Sequence, residues 1–271
     1  MKIRNQLCLT GVAATAASLL GVPAPAQAAA PLEPVLALAR RAWGEAPADR
    51  VLLYNPDAVA LWLYQKYTTR FAPMLPEVQL CLPMRSVMPS VTPVCFASMY
   101  SGLMPEDHGI TSYEKPVLQC DTLFDALLRA GKRPAIVSTC KDSISNIFLD
   151  RKMDYFILDT PQACNQQAQR LIAADQHDLI VVYNADYDAA MHRNGPEAPV
   201  CLDTLSGNVA AFAALADAAA CCWAAHRTVL GFLPDHGCHE IDGGLGSHGL
   251  DMPEDMQIVH FWGVQPPRPN A

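Results

Sequence analysis

The sequence predicts an α/β fold in which a mostly parallel sheet lies between two layers of helices, a three-layer α/β/α sandwich. Three observations predict this fold. Short apolar runs alternate with helix-like segments along nearly the whole chain. The runs are apolar throughout, which is typical of strands buried on both faces of a parallel sheet. Finally, 51% of the 271 residues are hydrophobic and only 17% are charged, which suits one large buried core.

The elements follow one another as strand and then helix. The run "RVLLYN" (50–55) predicts a strand, and "PDAVALWLYQKY" after it predicts a helix. Thr92 and Pro93 open a helix over 92–103, because proline is favoured in the first turn. The other predicted strands are 78–83, 133–139, 154–160, 178–184, 228–233 and 258–264. The other predicted helices are 31–45, 121–131, 142–150, 161–175, 186–195 and 203–226.

The first 28 residues have the pattern of a secretory signal peptide. Lys2 and Arg4 precede the apolar run "LCLTGVAATAASLLGV" (7–22), and small residues surround a cleavage point after Ala28. The run is too short and too rich in alanine for a good membrane span. The sequence therefore predicts a periplasmic or secreted protein with one domain over 31–271. An ordinary N-terminal helix is the alternative, and it would leave the protein cytoplasmic.

Charge and cysteine content exclude some classes of protein. The net charge is −8 and no run of lysine or arginine occurs, so a nucleic-acid platform is not expected. Nine cysteines follow the leader, an odd number that cannot all pair within one chain, and no Cys-x-x-Cys occurs. We interpret them as reduced, mostly buried residues. Those expected in the core include Cys81, Cys140, Cys221 and Cys222.

Polar side chains with metal-binding capacity follow several of the predicted strands. In a parallel sheet the carboxyl ends of the strands meet at one edge, where ligands bind. Asp188 and His192 are four residues apart in a predicted helix and so share one face. The sequence predicts that one edge of the sheet gathers Asp57, Thr92, Asp188, His192, Asp235, His236 and His248.

These residue types suit a metal site with a nucleophile. Carboxylate oxygens and imidazole nitrogens favour zinc in an open catalytic site, or manganese. A metal can lower the pKa of the Thr92 hydroxyl, and the free N–H groups at the start of its helix favour a phosphate. Structural roles are the alternatives: Thr92 and Asp57 as helix caps, and Asp188 with His192 as a surface pair.

Four motifs, in order, resemble the alkaline phosphatase superfamily, in particular its type I phosphodiesterase/nucleotide pyrophosphatase branch. They are "SVTPVCFASMYSGLMPEDHGI" (90–110), "DAAMHRNGP" (188–196), "PDHG" (234–237) and "GSHG" (246–249). Each motif is weak alone, but each follows a predicted strand. The resemblance extends from Asp57 to the end of the chain and implies an alkaline phosphatase-like fold without a large cap domain.

The resemblance also implies an activity and a role for each of these residues. It implies a phosphohydrolase with two divalent ions, zinc or manganese, and a phospho-threonine intermediate at Thr92, which also contacts the metals. The substrate would be a small phosphate ester, and the natural one stays open. The implied ligands of one ion are Asp188, His192 and His248, and those of the other are Asp57, Asp235 and His236.

Other functions within this superfamily stay open. A phosphomonoesterase, a phosphosugar mutase-like enzyme and a non-catalytic metal-binding relative are the alternatives. A monoester carries one more negative charge than a diester, and residues 90–104 contain no lysine or arginine to hold it. We therefore expect a preference for diesters. Arg85 and Lys141 are the candidate cations, His239 is a candidate substrate contact, and His108 is expected to be structural.

Overall fold

The computed structural model describes residues 7–268. Side chains of its central strand, Arg50–Pro56, enter two separate hydrophobic cores. Val51 and Leu53 belong to one core, while Leu52 and Tyr54 belong to the other, and all four are fully buried. Successive side chains of a strand point to opposite faces, so such a strand needs helices on both sides. The predicted three-layer α/β/α architecture is confirmed.

The strands form one large mixed sheet and one small hairpin within residues 7–268. The large sheet has seven strands in the order β2-β9-β6-β1-β5-β3-β4, and only β9 runs antiparallel to its neighbours. β7 and β8 form the hairpin. The strands are β1 (Arg50–Pro56), β2 (Leu80–Arg85), β3 (Pro134–Thr139), β4 (Asp154–Leu158), β5 (Leu179–Asn184), β6 (Thr228–Phe232), β7 (His239–Ile241), β8 (Leu245–Ser247) and β9 (Gln257–Gln265).

Helices cover both faces of the large sheet. Those contributing to the first core are α1 (Gly11–Leu19), α2 (Glu33–Trp43), α4 (Thr92–Ser101), α6 (Leu123–Arg129) and α7 (Ser143–Ile147). Those contributing to the second are α3 (Leu61–Lys66), α8 (Pro161–Ala174), α9 (Asp186–Asn194) and α10 (Pro199–Cys222). The short helices α5 (Pro105–His108) and α11 (Pro253–Met256) and a 3₁₀ segment (Thr68–Glu77) lie in connections.

Helix α10 is long and apolar enough to cross a membrane by length and composition, and it is the one such helix among the described residues. Its apolar side chains enter the second core, where Leu205, Val209, Phe212 and Leu215 are fully buried. Core helices of water-exposed domains pass the same composition test. We therefore interpret α10 as part of the helical layer rather than as a span.

Residues 7–22, which contain the predicted leader's apolar run, pack inside the first core. Every residue of α1 except Ser18 is buried, and the helix contacts α2, α4 and α6. The segment before it hydrogen-bonds the end of β2, where the Arg85 N–H donates to the Leu7 carbonyl over 2.8 Å. The side chain of Thr15 accepts the Leu32 N–H over 2.7 Å. The apolar run thus forms a helix integrated with the helix that begins at Thr92.

The burial of the cysteines differs from the expectation at four positions. Cys81, Cys140, Cys221 and Cys222 are exposed, whereas we expected them in the core. Cys81 lies on the edge strand β2, whose outer face is accessible, and the vicinal pair lies on the outer side of α10. The buried cysteines are Cys95, Cys164, Cys201 and Cys238, and every cysteine is a free thiol.

Candidate metal centre

The carboxyl ends of four strands place the predicted ligands and the predicted nucleophile at one edge of the sheet. Strands β1, β5 and β6 run parallel, and β2 runs in the same direction because both it and β6 pair antiparallel with β9. Asp57 directly follows β1, and the Asp235-His236 pair follows β6 closely. The helix after β5 carries Asp188 and His192, and the loop after β2 leads to Thr92. The strand ends thus bring these side chains together at one edge of the sheet.

Six of these side chains form two groups of three. Within each group, one ligand atom from each residue lies within 4.8 Å of the others. The rings of His236 and His248 stack with centroids 4.0 Å apart, so the two groups adjoin. The first group consists of Asp57, Asp235 and His236, and the second group consists of Asp188, His192 and His248.

Backbone carbonyls orient all three histidines in the same way. Nδ1 of His192 lies 3.0 Å from the Gly246 carbonyl, and Nδ1 of His248 lies 2.9 Å from the Ser90 carbonyl. Nδ1 of His236 lies 2.9 Å from the Gly237 carbonyl. A carbonyl only accepts, so each Nδ1 donates and each Nε2 presents a lone pair. An outer contact of this kind is typical of histidines that bind metals.

The Nε2 atoms face one another and face carboxylate oxygens without a donor between them. Nε2 of His192 lies 3.2 Å from Nε2 of His248 and 3.2 Å from Oδ1 of Asp188. In the first group, Nε2 of His236 lies 3.3 Å from Oδ1 of Asp57. Three buried oxygens have no hydrogen-bond partner, namely Oδ1 of Asp57, Oδ1 of Asp188 and Oδ2 of Asp235.

Burial and like charges within the two groups shift the pKa values of their members. Burial raises the pKa of Asp57 well above its usual range, and the nearby charges of Asp235 and Asp188 raise it further. Burial and the charge of His236 lower the pKa of His248 to about 3. The Asp188 carboxylate can accept a hydrogen bond from a protonated Nε2 of His192, which raises the pKa of His192, so a proton competes with any metal for this nitrogen.

Divalent cations fit this donor set. A cation in each group would satisfy the orphaned oxygens and the converging imidazole lone pairs, and would offset the repulsion among the three carboxylates. The donors are oxygen and nitrogen only, which suits zinc or manganese. Each group supplies three protein ligands, so a position stays free for substrate or water.

Thr92 does not act as a helix cap. It is the first residue of α4, whose N-cap is Val91, and no side-chain capping bond forms there. Its hydroxyl instead donates to Oδ2 of Asp57 over 3.3 Å and lies 3.3 Å from Nε2 of His236. The side chain is 3% exposed. The capping alternative for Thr92 is therefore wrong, and its oxygen adjoins the first group.

Two glycines permit the close backbone contacts behind the ligands. A Cβ on Gly237 would lie 2.0 Å from the Glu254 carbonyl oxygen, so the turn after His236 admits no side chain. A Cβ on Gly246 would lie 2.2 Å from the Met191 sulfur. Gly246 also supplies the carbonyl that orients His192, and its close approach to α9 makes this contact possible.

The remaining candidates lie outside the two groups. His108 hydrogen-bonds Ser98 at 2.9 Å and accepts the Ile110 N–H, and burial lowers its pKa to about 4, which matches the structural role expected for it. His239 contacts the buried carboxylate of Asp255 at 2.7 Å. Among residues 7–268, no hydrogen bond or ion pair joins Arg85 or Lys141 to the six ligands.

Two tyrosines near the site were not foreseen. Tyr183, inside β5, donates its hydroxyl hydrogen bond to Oδ2 of Asp57. Tyr113 lies between α5 and α6 and is 59% exposed. Partial burial raises its pKa, and the negative charges of Asp57 and Asp188 raise it further. Nζ of Lys115 lies 5.4 Å from the Tyr113 ring centroid.

The fold is of the alkaline phosphatase type, and two groups of potential metal ligands lie at one edge of its sheet. Residues 57–125, which include Asp57 and Thr92, match the family model of type I phosphodiesterase/nucleotide pyrophosphatase. The resemblance inferred from the four motifs is thus confirmed, and the match itself covers about a quarter of the chain. No curated protein sequence matches the chain as a relative.

Solved structures share this fold at low sequence identity. Murine ectonucleotide pyrophosphatase/phosphodiesterase 5 is 16% identical, with a TM-score of 0.57 over 72% of this chain and 58% of that one. An inactive variant of it in complex with AMP is 15% identical, with a TM-score of 0.58 over 72% and 59%. Phosphonoacetate hydrolase from Sinorhizobium meliloti, in complex with phosphonoformate, is 18% identical, with a TM-score of 0.53 over 71% and 57%. The chain thus spans a little under three fifths of these relatives.

Proposed function

We propose that this protein is a two-metal phosphohydrolase that cleaves small phosphate esters, with Thr92 as nucleophile. The observation that carries the proposal is the position of the Thr92 hydroxyl, 3.3 Å from both Asp57 and His236, two members of the first group. A non-catalytic metal-binding protein would have no use for a buried hydroxyl directed at the ligands. This position therefore favours the enzyme over the binding alternative.

Bound divalent ions, zinc or manganese, would supply Lewis acidity and lower the pKa of the attacking hydroxyl. The first group would hold one ion and the second group the other. Asp57 Oδ2 accepts the hydrogen bond of the Thr92 hydroxyl and thereby orients its oxygen. That oxygen would bond to phosphorus as the bond to the leaving oxygen breaks, and the hydroxyl proton would end on the leaving alcohol. Water then hydrolyses the phospho-threonine and regenerates Thr92.

Metal content is the first test of this proposal. Protein purified without chelators is expected to hold about two divalent ions per chain, because the six ligands form two groups. His192→Ala should lose one ion and keep the other. His226→Ala is the matched control, since His226 pairs with Asp175 away from both groups. Elemental analysis that finds no transition metal in the wild-type protein would contradict the two-metal assignment.

We also propose a preference for diesters over monoesters. The ion pairs of the three ligand carboxylates within residues 7–268 involve only histidines, so no lysine or arginine supplements the metals there. A monoester brings an additional negative charge near neutral pH, and a phosphatase usually needs a further cation to hold it. One cation per group is better matched to the single charge of a diester.

The substrate comparison measures kcat/KM for bis-(p-nitrophenyl) phosphate and p-nitrophenyl phosphate at equal metal loading. We expect the diester to be the better substrate by roughly 10-fold or more, the effect of one charge-assisted contact of about 1.5 kcal/mol. A faster monoester reaction would refute the preference and direct attention to nearby cations. Lys115→Gln, Arg85→Gln and Lys141→Gln would then identify the residue that holds the extra charge.

A further inference from the structure

The two oxygens of Asp57 have different surroundings. Oδ2 accepts hydrogen bonds from the hydroxyls of Tyr183 and Thr92, whereas Oδ1 is buried without any hydrogen-bond partner. Oδ1 lies 3.3 Å from Nε2 of His236, in the centre of the first group. The carboxylate is therefore held by one oxygen and presents the other to the position of a cation.

The position of Tyr183 does not depend on Asp57. Tyr183 lies in β5 in register with Asn55 of β1, so the sheet fixes its backbone. Its ring packs edge to face on Phe96 with centroids 5.3 Å apart, and it is 3% exposed. Phe96 belongs to α4, the helix that begins with Thr92. One side chain thus links the sheet, the nucleophile's helix and a ligand carboxylate.

The other candidate ligands receive their outer contacts mainly from the backbone. Oδ1 of Asp235 accepts the Ala58 N–H over 3.3 Å, and the three histidines donate to carbonyls. A substitution cannot remove these contacts. The Tyr183 hydroxyl differs, because replacing tyrosine by phenylalanine deletes it and leaves the ring in place.

We propose that Tyr183 is a positioning residue for the metal of the first group. Its hydroxyl fixes the Asp57 carboxylate so that Oδ1 faces the ligand set and Oδ2 faces Thr92. The inference rests on the proposed two-metal function and adds to it a residue that touches neither metal nor substrate. Outer contacts of this kind commonly change metal affinity or activity by roughly 10- to 100-fold when they are removed.

The test is the metal affinity of Tyr183→Phe, measured by competition with a chromophoric chelator as metal-free protein is titrated with zinc. We expect one of the two dissociation constants to rise by roughly 10- to 100-fold while the other stays unchanged, because only the first group contains Asp57. At metal loading that fills both groups, kcat is expected to fall and KM to change little, since the ring and the substrate side are unaltered.

Tyr100→Phe is the matched control. Tyr100 is also a fully buried tyrosine that donates its hydroxyl, but its acceptor is Oδ1 of Asn55 at 2.6 Å, which is not a ligand. Tyr100→Phe should leave both zinc dissociation constants unchanged. The inference is overturned if Tyr183→Phe leaves both constants unchanged, or if it weakens both equally, as a general loosening would. Wild-type protein that binds no zinc would instead overturn the proposed function itself.

Discussion

Thr92→Ala is expected to abolish turnover while the protein keeps its fold and both metals. The Thr92 oxygen is the attacking atom in the proposed reaction, so its loss should lower kcat by a factor on the order of 10⁴ or more. Six other side chains form the two groups, and Asp57 keeps its hydrogen bond from Tyr183 when the threonine hydroxyl is removed. The measurement is single-turnover and steady-state kinetics with metal content determined on the same sample.

Two further variants make this test specific. Thr92→Ser should retain part of the activity, because the hydroxyl remains. Thr122→Ala is the control for a threonine at the start of a helix, since Thr122 caps α6 with a hydrogen bond to the Asp125 N–H. It should lower stability by about 1 kcal/mol without affecting turnover. Near-normal turnover in Thr92→Ala would mean that water attacks phosphorus directly.

The location of the candidate ligands was predictable because it follows from the topology. Side chains just beyond the ends of parallel strands share one edge, so sequence position alone brought Asp57 and Asp235 together. The outer contacts do not follow from topology. Tyr183 lies within the apolar run "LIVVYN", where the pattern explains it fully as a core residue. Its hydroxyl meets Asp57 across 126 positions of sequence, and no local signal reports such a contact.

The sequence pattern of the N-terminal segment fits two different structures. A secretory leader and a fully buried helix both contain a largely apolar segment. Residues 7–22 satisfy both descriptions, so composition cannot distinguish them. Their packing in the first core is a property of the tertiary structure. Export with cleavage after Ala28 and the packing of this segment lead to opposite expectations for the stability of the shortened chain, and a stability measurement distinguishes them.

Removal of residues 1–28 is expected to prevent cooperative folding of the remaining chain. Leu9, Val12, Leu19 and Leu20 are each at most 5% exposed. Burying each such side chain contributes roughly 1.5–3 kcal/mol, and together this is comparable to the roughly 5–15 kcal/mol of net stability in an ordinary domain. Thermal unfolding of chains 29–271 and 7–271 is the comparison, because the second chain keeps the whole described segment.

A point substitution examines the same packing in the full-length chain. Ala17→Glu introduces a carboxylate at a fully buried position of α1, whereas Ser18→Glu introduces it at the exposed neighbouring position. Burying an unpaired charge is costly, so the first variant should lose several kcal/mol of stability and the second almost none. Because α1 packs on α4, the first variant should also lose activity. Equal stability of both variants, together with an intact Tm for chain 29–271, would identify the segment as a removable leader.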